Sequence, residues 1–157
     1  MSAPKERIAT SGSQSEASKI ASFMGLPRSR EIDDLALVEI VRRGFPANTA
    51  KTVVQRVDPD GRFLLATDII PKSTLHRRLK NQKPLTKDES EKIFALSKVF
   101  AEVLRIYHGD KDLAARFLIF PHPMLNNRPP IDLAKESIAG ADLILKVLAQ
   151  ADAGVAA

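Results

Sequence analysis

At 157 residues the chain is one domain's worth, or two small helical units sharing a core. With 44% hydrophobic and 27% charged residues it has the composition of a soluble globular protein, and zero Cys excludes disulfides, thiolate catalysis, Cys-zinc sites and iron–sulfur clusters. The net charge is only +5, no run approaches the ~18 consecutive apolar residues of a membrane span, and the opening MSAPKERIATSGSQSEASK lacks the apolar centre of a signal peptide, so a cytoplasmic protein is expected.

Residues 1–30 hold seven Ser and few large apolar side chains, which points to a mobile arm with at most a short docking turn at Ile20, Phe23, Met24 and Leu26. Glu6 and Glu16 count against the rival transit-peptide reading. Ile32, Leu35, Val38 and Val41 then recur at three-residue steps, widened by Leu37 and Ile40, with acids at the start, Arg42 and Arg43 at the end and Gly44 beyond, which predicts a helix. A second helix is expected from Ala47 to Val57, closed by the turn Asp58-Pro59-Asp60-Gly61, and a short third one from Arg62 to about Asp68. Ile69, Ile70 and Pro71 lead into a fourth helix that Pro84 must end.

Thr86-Lys87-Asp88-Glu89 is a capping box that starts a long helix. Its stripe Ile93, Leu96, Phe100, Val103, Tyr107 alternates +3 and +4 like a coiled-coil seam and asks for a partner helix. Asp110 caps a short helix through Leu118, Pro121-His122-Pro123 breaks the chain, and Asn126 to Pro130 forms a turn launching a helix from Ile131 to about Ser137. After Gly140 a last amphipathic helix is expected to bury Leu143, Ile144, Val147 and Leu148. No segment alternates with period two, so the chain reads as all-α.

The fourth helix carries the strongest chemical signal. From Ile69 to Lys87 there are six basic residues and no acid, so this one segment exceeds the positive excess of the whole chain. With Leu75 and Leu79 turned to the core at about 100° per residue, Arg77 lies opposite, flanked by Ser73, Thr74, Lys80 and Asn81, while Arg78 stands a quarter turn away, suited to a neighbouring helix or a groove wall. Arg, Asn, Ser and Thr together are the repertoire that reads bases and phosphates in the major groove. The candidate DNA contacts are therefore Lys72, Ser73, Thr74, Arg77, Arg78, Lys80, Asn81 and Lys83, in a helix-turn-helix layout. A merely solvated basic helix is the alternative; the missing acids weigh against it.

Catalysis has little to stand on. His76, His108 and His122 share no metal spacing, and the pairs Asp33–Asp34 and Asp110–Asp112 fall in first helical turns, where carboxylates cap. No phosphate loop or nucleophile elbow is present, so no enzyme, cofactor or metal is expected. Phe117, Leu118, Ile119 and Phe120 form four consecutive large apolar residues before a broken loop; they line either the chain's own core or a partner surface.

From about Gly44 onward the ordered set IIPKSTLHRRLK, LTKDESEKIFALSKVFAEVLRIYHGD, AARFL, LNNRPPIDL, Gly140 and VLAQADAGV resembles the Xre/MbcA/ParS antitoxins. Phe117 stands where that family often has Trp, and Asn127 where a Gly usually precedes Arg-Pro. The resemblance implies a bacterial antitoxin with an Xre-like helix-turn-helix region (31–85) that binds its own promoter as double-stranded DNA, followed by the long helix and a toxin-binding domain (86–157). The implied partner is a RES-domain toxin that depletes NAD. Carried over by position, Phe117, Leu118, Asn127, Arg128, Pro129, Ile131 and Leu133 fall on the toxin-binding motif, and the tail from Gly154 to Ala157 matches the end that lies near the toxin's cleft. Phe120, Leu125, Val147, Leu148 and Ala157 complete the candidate surface. The long seam could close within the chain, but symmetric repressors bind two half-sites, so a homodimer is expected. The rival reading is a stand-alone helix-turn-helix regulator without a toxin.

Overall fold

The computed structural model describes residues 13–156, and over that span the chain is all-α. Eight α-helices run in order: α1 (Glu16–Phe23), α2 (Asp34–Arg43), α3 (Thr49–Val57), α4 (Lys72–Lys80), α5 (Lys87–Ile106), α6 (Lys111–Ile119), α7 (Pro130–Glu136) and α8 (Ile138–Ala156). Single 3-10 turns at Ser29–Glu31, Ala66–Asp68 and Pro123–Leu125 join them. No strand occurs among the described residues, apart from one isolated bridge between His122 and Arg128. None of the described helices is long and apolar enough to cross a membrane.

Everything is arranged on α5. Its first turn closes by the capping box: Glu89 N–H donates to Thr86 Oγ1 at 3.2 Å, and Thr86 N–H donates to Glu89 Oε2 at 3.0 Å. Ile93, Leu96, Val99, Phe100 and Val103 are then fully buried, because α1, α2, α3, α6, α7 and α8 all pack around this one rod. Each such side chain is worth roughly 1.5–3 kcal/mol of transfer free energy. The seam expected to meet a second copy is therefore covered inside the chain, with α8 as its main cover. It holds the fold together and is closed to a dimer partner.

Four local expectations change. Residues 16–23, read as part of a mobile or loosely attached arm, form α1, capped by Ser15 and buried at Ala17 and Ala21, and Met24 and Leu26 of the expected docking turn are buried just after it; Ser and Ala suit a helix that lies close against α5. The earlier part of that arm, residues 1–12, lies outside the described residues. Ile32, just before α2, and Leu37 within it are buried, but Leu35 and Val38 stand 72% and 62% exposed. A peripheral helix has one covered side, and these two lie about 160° and 100° round the helix from Leu37. In α8, Ile144, Val147 and Leu148 are buried while Leu143 is exposed.

The fourth change is the segment 62–68, which is helical only in its last turn. The buried Asp58 carboxylate accepts from the backbone N–H groups of Arg62 (3.0 Å), Phe63 (2.7 Å) and Leu64 (2.9 Å), and so stabilises a loop against helix formation. Nearby, the link between α2 and α3 is fastened to the start of α5. Leu85 N–H donates to Phe45 O at 2.8 Å and Phe45 N–H to Ser90 Oγ at 2.9 Å. Gly44 permits this approach: its φ is +96°, and a Cβ there would sit 1.9 Å from Leu85 O.

Candidate nucleic-acid and partner surfaces

The basic helix α4 follows Pro71, which leaves its first turn uncapped by a side chain, and ends at Asn81 before Gln82 turns left-handed at φ +52° ahead of Pro84. Leu75 is buried and Leu79 half-buried, which holds the helix by one edge. Lys72, Ser73, Arg77, Lys80, Asn81 and Lys83 are all exposed, with Thr74 half-buried beside them. Among the described residues none of these cations has an ion-pair partner. The α-helix preceding α4 is α3, fourteen residues earlier, and between them lies only the single 3-10 turn at Ala66–Asp68 in place of the expected short helix. The connection is thus longer than the three- or four-residue turn typical of a helix-turn-helix.

Arg78 behaves differently from the other seven candidates. Its Nη2 donates to Glu89 Oε1 at 3.0 Å and its Nη1 to Pro84 O at 3.4 Å, with side-chain exposures of 18% for Arg78 and 20% for Glu89. Its Nε is buried with no hydrogen-bond partner. Glu89 therefore does two jobs, closing the α5 cap with one oxygen and tethering α4 with the other. Arg78 is drawn away from the surface that its seven neighbours share, in keeping with its quarter-turn position. Among the other titratable groups, exposed Glu39 is held below the usual carboxylate range by its hydrogen bond from Arg42 and that cation's charge.

The three histidines stay apart in role: His76 is exposed on α4, His108 follows α5 with φ +53°, and His122 Nδ1 accepts from Met124 N–H at 3.3 Å. Asp33 and Asp110 are N-caps, Asp33 accepting from Ala36 N–H at 2.8 Å and Asp110 from Asp112 and Leu113 N–H at 3.0 and 3.1 Å.

The C-terminal half is built around the broken segment 120–129. Asn126 and Asn127 both adopt left-handed conformations, φ +54° and +58°, which Asn tolerates better than most side chains, so the turn forms without glycine. Arg128 Nη2 then donates to Glu136 Oε2 at 2.8 Å across α7, and Pro130 opens α7 at a position whose N–H needs no partner. Gly140 lets α8 cross α7 closely, since a Cβ would meet Leu133 O at 1.9 Å.

The candidate toxin contacts divide sharply by burial. Leu118, Leu125, Ile131, Val147 and Leu148 are buried and pack in the chain's own core. Phe117, Pro129 and Leu133 are half-buried, Phe117 lying against Tyr107 and His122 at ring separations of 6.4 and 6.2 Å. Phe120, Asn127 and Arg128 are exposed, whereas Ala157 lies outside the described residues. Ile119, of the apolar run, is exposed too, and one exposed neighbour escaped the reading of the sequence, Met124; Met124 is 63% exposed and Phe120 58%. Its signal was the placement of an apolar side chain directly beside a helix-breaking proline. From Ala149 to Gly154 every residue of α8 is exposed, and Arg105 ties this free end to the body through Asp152 at 2.8 Å. Hydrogen bonds to Glu102 and then Asp152 push the Arg105 pKa up, so it remains a cation.

If Arg78 and Glu89 hold α4 on α5, Arg78→Ala and Glu89→Gln each lower stability by about 1–3 kcal/mol, and the double variant loses about 1 kcal/mol less than their sum in urea unfolding. Strict additivity would show that the pair carries no tether.

Residues 103–154 match the family model described as the antitoxin Xre/MbcA/ParS C-terminal toxin-binding domain. The chain is also similar to a protein named Antitoxin Xre from Yersinia enterocolitica serotype O:8 / biotype 1B (strain NCTC 13174 / 8081), at 29% identity over 133 residues, covering 84% of this chain and 86% of that one. The matched stretch holds the end of α5, the 120–129 turn with its exposed Phe120, and the α7–α8 crossing at Gly140. Residues 103–154 are thus similar to the toxin-binding domain of the Xre/MbcA/ParS antitoxins, and most of the chain is similar to one protein named as such an antitoxin.

Proposed function

We propose that the chain neutralises a cognate toxin of the RES-domain, NAD-depleting type by covering its active-site cleft, and that it represses its own operon by laying α4 on promoter DNA. One observation carries the toxin half: within the matched domain, Phe120 and Met124 stand exposed beside Asn127 and Arg128, on a loop that the buried Leu118, Leu125 and Ile131 hold rigid. Exposed aromatic and Met side chains rimmed by polar ones suit a protein partner. Inhibition of this kind is steric, so no residue of the antitoxin performs chemistry. The RES assignment rests on the resemblance in the ordered segments around LNNRPPIDL and the closing helix. The DNA half is supported by the acid-free face of α4, where Lys72, Ser73, Arg77, Lys80, Asn81 and Lys83 are open to solvent.

Co-expression with the product of the adjacent reading frame tests the toxin half. The wild-type chain should rescue growth and co-purify, whereas Phe120→Asp should weaken capture by at least about tenfold without lowering the melting temperature, because that side chain leaves the core untouched. Equal capture by both would contradict the assigned surface. For DNA, binding should fall with salt at a log–log slope of roughly −0.9 per phosphate contact. Arg77→Ala should lose about 1–3 kcal/mol on the operator and less on random duplex; equal losses on the two would contradict groove reading.

A further inference from the structure

Beyond Leu148 the last helix leaves the body. Leu148 is the last buried residue of α8 among the described residues, every residue from Ala149 to Gly154 is exposed, and at 1.5 Å per residue the helix runs about 12 Å further to Ala156. From Ala149 to Gly154 it carries no large apolar side chain, so burial gives this end nothing to be held by. Such a rod pivots. A bend of about 10° at Leu148 moves its tip by roughly 2 Å, against the ~0.5 Å to which a binding constellation has to be held.

One side-chain contact joins this end to the rest of the molecule. Among the described residues, Arg105 Nη2 donating to Asp152 Oδ2 at 2.8 Å is the single hydrogen bond or ion pair from residues 149–154 to another element. Arg105 is already set for it: Nε and Nη2 both donate to Glu102, one turn back on α5, at 3.0 and 2.7 Å, which fixes the guanidinium before Asp152 joins. With side-chain exposures of 56% and 50%, Arg105 and Asp152 alone would be an ordinary surface pair of little worth; a bidentate network of three charges is the exception. The helix ends agree with a clamp. Arg105 lies in the last turn of α5, where a cation suits the dipole, whereas Asp152 lies near the end of α8, where a lone carboxylate is disfavoured and the last turn holds no basic residue to offset it. Arg105 supplies that missing cation from the neighbouring helix.

We infer that Arg105, braced by Glu102, is the positioning residue that holds the exposed end of α8 in the direction in which it meets the toxin. Resting on the toxin-covering role proposed for this domain, Arg105 has a task that needs no toxin contact of its own. It keeps residues 149–154 helical and aimed in the free chain, so that the cost of ordering them is met before the partner arrives.

Amide hydrogen exchange of the full chain without toxin checks the clamp itself. Arg105→Gln and Asp152→Asn should each speed exchange over residues 149–154 by about threefold or more, with residues 117–129 unchanged. Titration against the toxin whose growth arrest the chain relieves checks the aim: both variants should raise the dissociation constant by about threefold or more. The reversal Arg105→Asp with Asp152→Arg should recover the slow exchange and most of the affinity, which loss of a direct contact between Asp152 and the toxin would not allow. Unchanged exchange in the single variants, unchanged affinity where exchange has quickened, or a reversal no better than the singles would overturn the assignment. A wild-type chain that captures no toxin would instead sink the toxin-binding reading and the aim with it, while the exchange rates would still show whether Arg105 holds the end.

Discussion

The structure depends on the burial of one apolar rod. Ile93, Leu96, Val99, Phe100 and Val103 of α5 are closed off from water by six other helices. Because the other helices bury their apolar faces around this rod, surface segments can keep unusual features, an acid-free basic helix and a proline-broken loop with exposed Phe and Met, that would be costly in a self-supporting unit.

The position of α5 also separates the candidate surfaces. At its N-terminal end Glu89 joins the helix cap to Arg78 and thereby to α4; towards its C-terminal end lie the 120–129 turn and the free last turns of α8. One rigid helix of 20 residues, about 30 Å long, therefore spaces the basic helix from the domain that the antitoxin family model matches. α2, with its exposed Leu35 and Val38, precedes both in chain order and lies outside both.

Most of what local chemistry specifies was legible in the sequence. The Thr86–Glu89 capping box, the stops at Pro84 and Gly109, the caps at Asp33 and Asp110 and the basic face around Arg77 each depend on residues within a few positions of one another. What was not legible depended on which neighbour a face meets. Periodicity marked Leu35 and Val38 as core-facing, yet only the packing of α2 at the edge of the bundle decides that they stay bare. The coiled-coil spacing of Ile93 to Tyr107 asks for a partner without saying that the partner is α8 of the same chain. Asp58 turned an expected helix into a loop by accepting three backbone N–H groups, an interaction that hydropathy does not register. The same limit explains the toxin-binding candidates: a motif carried over by position mixes residues that build the turn, such as Leu125 and Ile131, with those that the turn presents, such as Phe120 and Arg128.

In the proposed mode of action, the turn at 120–129 and the exposed end of α8 together form the surface that meets the toxin. Amide hydrogen exchange of the full chain, alone and saturated with the toxin whose growth arrest it relieves, tests this most directly. The account expects added protection over residues 117–129 and 149–154, with α2 and α4 unchanged. Protection confined to α2 or α4, or none in the C-terminal domain despite a stable complex, would contradict it.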